Sequence, residues 1–144
     1  MKVSVDTNVL VRAVVRDDKA QAKVAIKVLR EAELIAIALP CLCEFVWLLR
    51  RVYDFQPADA AHAIRALLAA VNVEMNRPAV QAGLSVHDAG GDFTDGVIAY
   101  EGNWLGGETF VSFDKKAVAL LMAQGQPARF CPNSPSKLEG VGVN

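Results

Sequence analysis

Five carboxylates stand in surroundings that suggest chemistry. Asp6 is the only charged residue between Lys2 and Arg12, set among Val3, Val5, Val9, Leu10 and Val11. Glu44 is the only charge in the sixteen residues from Leu34 to Leu49. Asp114 closes the run Thr-Phe-Val-Ser-Phe at 109–113, and Asp92 and Asp95 lie three apart around a predicted helix start, on a shared face. An isolated carboxylate is costly to bury, so acids inside apolar runs ask for a compensating charge. Lys and Arg are scarce near these points apart from Lys115 and Lys116. A divalent cation supplies the missing charge, and an all-carboxylate donor set selects Mg²⁺ or Mn²⁺ over zinc. Each acid also has a purely structural reading. Asp6 suits a helix N-cap, Asp92 and Asp95 suit a helix start, and Glu44 suits a buried ion pair with Arg50 or Arg51. The shared site is favoured because all of these acids fall at strand ends or helix starts.

The remaining candidates are weaker. Cys41 and Cys43 sit two apart on a predicted helix and face different ways, which argues against a zinc pair. His62 and His87 stand alone and read as surface or core residues, while Trp47 and Trp104 read as core or interface anchors, either of which could stack a base. The sequence contains no P-loop, no G-x-G-x-x-G and no G-x-S-x-G, so kinase, dinucleotide and serine-hydrolase readings lack their signatures.

The elements that must position these acids alternate between short apolar runs and helical stretches. Strands are predicted at Lys2–Val5, Leu34–Leu39, Val71–Met75, Thr109–Phe113 and Ala128–Cys131. Helices are predicted at Asn8–Val15, Lys19–Ala32, Pro40 to about Tyr53, Pro57–Ala70, Pro78–Ala89, Phe93–Asn103 and Lys115–Gln124. Gly90-Gly91 and Gly106-Gly107 read as turns. The alternation implies an α/β sandwich around a mostly parallel sheet, where ligands gather beyond the carboxyl ends of the strands.

The 144 residues fit one domain with a sizeable core, and 53% hydrophobic with 22% charged residues is a globular composition. We assign 1–131 to that domain and 132–144, rich in Pro, Ser, Gly and Asn, to a loop-like tail. The net charge of −1 hides a segregation: residues 1–56 carry +2, 57–114 carry −6, and 115–144 carry +3. That balance argues against nucleic-acid binding through bulk charge but leaves room for acids that hold a metal against a phosphate. The uncharged stretches are too short for a membrane span, no apolar signal region opens the chain, and the odd count of three cysteines suits a reducing compartment. A cytoplasmic protein without a membrane association is expected.

The blocks Asp6-Thr7-Asn8-Val9-Leu10, Glu44 early in a helix, Asp92-Phe93-Thr94-Asp95-Gly96-Val97-Ile98-Ala99, and Phe110-Val111-Ser112-Phe113-Asp114-Lys115 resemble the PIN-domain ribonucleases. The likeness is greatest to the VapC-type toxins of toxin–antitoxin pairs. It implies a three-layer α/β/α sandwich with a central, mostly parallel sheet and an acidic Mg²⁺ or Mn²⁺ site. The family's acidic quartet falls on Asp6, Glu44, Asp95 and Asp114, with Asp92 as an accessory acid. Thr7, Asn8 and Ser112 occupy positions that support such a site. Gly96 and Tyr100 depart from the usual pattern, where an Ala or larger residue and a small residue are common.

The resemblance further implies hydrolysis of RNA phosphodiester bonds to 5′-phosphate and 3′-hydroxyl products. Asp6, Asp95 and Asp114 would bind one or two ions, with Glu44 completing a second site or ordering water. Arg12, Arg16, Lys115 and Lys116 lie close in sequence to the acids and are candidates for contact with the RNA backbone, or else are solvated helix faces. A homodimer and a small antitoxin protein are implied partners, for which the apolar helices Ala22–Leu29 and Phe45–Val52 offer surface. Two other readings remain. One is a PIN-like module that binds RNA or a partner without cutting. The other is a receiver-like Mg²⁺ domain, which would want two acids after the first strand and another after the third, where Val73-Glu74-Met75 has no Asp.

Overall fold

The structure, a computed structural model, describes residues 1–132; most of the expected tail therefore lies outside the described residues. Strand β1 (Lys2–Ser4) leads into helix α1 (Thr7–Val15) and α2 (Lys19–Glu31), then β2 (Leu34–Ala36), α3 (Leu39–Arg51) and α4 (Pro57–Ala69). Strand β3 (Val73–Glu74) is followed by α5 (Arg77–Asp88) and α6 (Phe93–Trp104), and β4 (Phe110–Ser112), α7 (Lys115–Ala123) and β5 (Ala128–Phe130) complete the order. All strand pairings are parallel, as the helical crossovers require, and the result is an α/β sandwich.

The expected parallel sheet is present as two ladders, one in the order β1-β2-β3 and one pairing β4 with β5. Lys2 sits opposite Leu34 and Ile35 opposite Val73 in the first, and Val111 sits opposite Arg129 in the second. The strands are shorter than the apolar runs that announced them. Their pairing nevertheless continues one residue further, because the Val5 amide donates to the Ala36 carbonyl (3.4 Å) and the Ile37 amide to that of Glu74 (2.9 Å). The first ladder thus runs up to the residue before Asp6.

Leu42, Phe45, Leu49, Ile64 and Val80 are almost wholly removed from water and form one cluster with Ile35 and Val73. Helix α3 supplies more of that cluster than any other element, so its frame is fixed by burial while its other face is free to carry polar groups. Trp47 and Trp104 are not core residues: they are 54% and 75% exposed. Among the described residues no helix is long and apolar enough to cross a membrane.

Helices α5 and α6 cross closely, and glycines make that possible. A Cβ on Gly96 would lie 2.5 Å from the Ala82 carbonyl oxygen, and one on Gly83 would lie 2.7 Å from a Phe93 ring carbon. Gly96, a departure from the resemblance, is therefore the local means of bringing the helix that begins at Asp92 onto its neighbour. Gly90, with φ +95°, turns the chain between the two helices. Gly96→Ala is expected to cost about 1–3 kcal/mol of stability through overpacking. Gly102→Ala, with no atom within 4 Å of the added Cβ, is expected to gain a few tenths to about 1 kcal/mol. Urea unfolding of both variants checks the pair, and equal effects would contradict the packing account.

Candidate active site

Three of the acids occupy the same local position. Asp6, Asp92 and Asp114 are the N-caps of α1, α6 and α7. The Asp6 carboxylate accepts from the Val9 amide (3.2 Å), Asp92 from that of Thr94 (2.9 Å), and Asp114 from those of Lys116 and Ala117 (2.9 and 3.1 Å). The positive end of a helix tolerates a carboxylate, which is how this sequence holds three acids in place without an ion pair among the described residues. Each bond engages a single oxygen, Oδ1, and leaves Oδ2 without a donor among the described residues. The structural reading of Asp6 and Asp92 as helix starts is thus realised, and it does not compete with a role in a site.

Asp92, Asp95 and Asp114 line one cleft of about 710 Å³. Asp95 projects from the first turn of α6 and is half-buried. Burial pushes its carboxyl up from the usual value of 3.8, and the negative charges of Asp92 and then Asp114 push it in the same direction. Among the described residues the only ion pairs are Arg12–Asp17 and Arg65–Asp88, so none of the acids in the cleft has a paired cation.

Asp6 and Glu44 form a second group. Both are exposed, and the expected buried ion pair of Glu44 with Arg50 or Arg51 is not formed. Glu44 lies in the second turn of a helix whose apolar side faces the core, so a charged side chain on the opposite side remains in water. Asp6 and Glu44 meet at Cys41: burial raises that thiol, the neighbouring Thr7 side chain opposes the rise, and the fields of Asp6 and Glu44 add to it. Cys43 faces another way, beside Thr94 and within the field of Asp92. The first turns of α3 therefore touch both acidic groups, and the two cysteines do not pair.

The supporting residues are placed unevenly. Thr7 is buried, and the Ser112 hydroxyl accepts from the Asp114 amide (2.9 Å), fixing the turn that presents Asp114. Asn8 is exposed beside Asp6. Of the four candidate RNA contacts only Lys116 lines the cleft. Lys115 lies over the Phe130 ring at 5.2 Å, Arg12 is bonded to Asp17 (2.9 Å), and the Arg16 Nε donates to the Ala13 carbonyl (3.2 Å).

Helix α3 contributes a wall that sequence reasoning did not assign to the site. Trp47, Arg50 and Arg51 face the acids across the cleft. Their spacing of three and four residues was the available signal, since it marks one helical stripe on an otherwise apolar helix. His87 also lines the cleft, but burial lowers its pKa and its Nε2 lies 3.1 Å from the Pro57 carbonyl oxygen, which makes it a structural group.

A divalent cation fits this donor set in kind: hard oxygen donors, uncompensated charge around Asp95 and free Oδ2 atoms. As the side chains stand, no three His, Cys, Asp or Glu groups among the described residues are close enough to hold an ion, so binding has to draw the carboxylates together. The family model described as PIN domain matches residues 3–118, from β1 into α7, and every acid discussed here lies within that span. No curated protein matches the chain.

The pH dependence of stability follows from Asp95. Its folded carboxyl titrates above the unfolded value, so the fold binds the proton more tightly and loses stability as pH rises from the unfolded value through the folded one. Asp95→Asn is expected to raise the thermal midpoint of metal-free protein at neutral pH and to flatten that stretch of the pH profile. A lower midpoint at neutral pH would show that Asp95 is not repelled there.

Proposed function

We propose, for a chain that belongs to the PIN-domain family, that it is an endoribonuclease using Mg²⁺ or Mn²⁺ at its acidic cleft. PIN domains are generally nucleases, and they generally use divalent metals. The observation that carries the reading is the gathering of Asp92, Asp95 and Asp114 in one cleft, none of them ion-paired among the described residues, with Arg50, Arg51 and Lys116 in the same lining.

Asp95 and Asp114 are the ligands of choice, with Asp92 as an accessory and with Asp6 and Glu44 joining through the first turns of α1 and α3. A bound ion there neutralises phosphate charge and supplies a nucleophile from water at neutral pH. The chain's own residues do the rest. The N-cap bonds hold the carboxylates in orientation, and Ser112 fixes the Asp114 turn. Arg50, held by its bond to the Phe55 carbonyl (2.6 Å), and Arg51 and Lys116 offer positive charge to the phosphates on either side of the reacting one. No histidine or lysine base is required, which suits a cleft whose one histidine is tied to a carbonyl. The products carry a 5′-phosphate and a 3′-hydroxyl.

The same reading makes the chain the toxin of a VapBC-type pair, acting in the cytoplasm as a homodimer and restrained by a small antitoxin. The order of the acidic blocks and the exposed Val24 on α2 and Val52 after α3 support it.

Cleavage of mixed unpaired and structured RNA by purified protein tests the proposal. Cutting with Mg²⁺ or Mn²⁺ is expected, with none in EDTA. Asp95→Asn and Asp6→Asn are expected to lose about 10²-fold or more in rate while remaining folded. Folded, antitoxin-free protein that cuts nothing with either metal would favour the non-cutting, binding reading instead.

A further inference from the structure

Trp47 stands out on α3. Its neighbours Phe45, Val46 and Leu49 are buried in the core, yet its own large indole is 54% exposed and lines the acidic cleft. One helical turn further on, Arg50 and Arg51 line the same cleft, together with Asp95, Asp114 and Lys116. Arg50 is fixed by its bond to the Phe55 carbonyl, whereas the Arg51 side chain has no hydrogen bond or ion pair among the described residues. An aromatic face in water beside two guanidinium groups matches the components of an unpaired nucleotide: a flat base to stack and a phosphate to neutralise.

We propose that Trp47 is the base-stacking platform of this cleft, the side chain on which one unpaired base of the strand is held. The inference rests on the RNA-cleaving reading for its choice of polymer. A base inside a duplex is stacked on its neighbours and shows no face to a side chain, so only a single strand, loop or bulge can place one on the indole. With that base on Trp47 and its phosphate against Arg50 and Arg51, the next phosphodiester lies toward the acids. Trp47 is in this sense a positioning residue, since it orients the strand and performs no step of the cleavage. Trp104, 75% exposed at the end of α6 and not part of the cleft lining, is the natural comparison.

The experiment uses the two tryptophans separately. In a Trp104→Phe background only Trp47 emits, and its fluorescence is followed as an unstructured RNA octamer, or the same octamer annealed to its complement, is added in EDTA at low salt. Quenching by the single strand is expected, with weaker binding of the duplex. Trp47→Leu, assayed in the Trp104→Phe background with a labelled octamer, is expected to weaken single-strand binding about 5- to 150-fold, the range carried by stacking on one aromatic ring. Trp47→Phe is expected to retain most of the affinity, because the ring face and not apolar bulk is what matters. The octamer is then cut with Mg²⁺ by each variant, where the loss is expected in KM more than in kcat. Trp47→Leu binding within twofold of its parent, or duplex bound as tightly as single strand, would overturn the proposal while leaving the nuclease reading intact. RNA bound through Trp47 but never cut would sink the nuclease reading and leave the platform standing.

Discussion

Carboxylates held together with no ion pair to any of them among the described residues are the constraint on which the cleft depends. Asp95 is half-buried at the first turn of α6, with Asp92 on the same helix and Asp114 at the start of α7. Folding the chain buries Asp95 and brings these groups toward one another; burial first, and then the charges of Asp92 and Asp114, raise its carboxyl. Two features make it bearable. Helix N-termini face Asp92 and Asp114, and each of those carboxylates accepts amide bonds there. What remains is the negative field of Asp92 and Asp114 at Asp95, which a divalent cation relieves.

The scaffold is organised to sustain that placement. The first parallel ladder carries the chain to Asp6, the buried face of α3 fixes the helix whose opposite face bears Glu44 and Trp47, and the α5–α6 crossing sets Asp92 and Asp95. Gly83 and Gly96 allow that crossing, since either Cβ would overlap the partner helix. The pairing of β4 with β5 forms a ladder of its own, and α7 with Asp114 belongs to that unit.

Much of this was legible in the sequence, for identifiable reasons. Apolar runs separated by Pro57, Gly90-Gly91 and Gly125 gave seven helices and five strands within a few residues of their observed ends among the described residues. The acids at helix starts were legible because an aspartate before a helical run has few other places to be. Burial was not. Asp6 and Glu44 lie in apolar sequence but stand in water, since a helix with one buried face hides its hydrophobic residues and exposes whatever lies on the other side. For the same reason Trp47, taken for a core or interface anchor, belongs to an exposed stripe with Arg51. Which helix faces which across a cleft is a tertiary fact, so the basic wall on α3 could not be separated from Arg12 and Arg16, which the fold occupies elsewhere with Asp17 and Ala13.

Metal binding to RNA-free protein tests the central claim most directly. Titration of Mn²⁺ into metal-free wild type, followed by calorimetry and by the thermal midpoint, is expected to give saturable binding with a rise in midpoint. Asp95→Asn and Asp114→Asn are expected to lose that binding while remaining folded. Saturable binding that survives both substitutions, or wild type that binds no Mn²⁺ at all, would contradict the account of the cleft as a cation site.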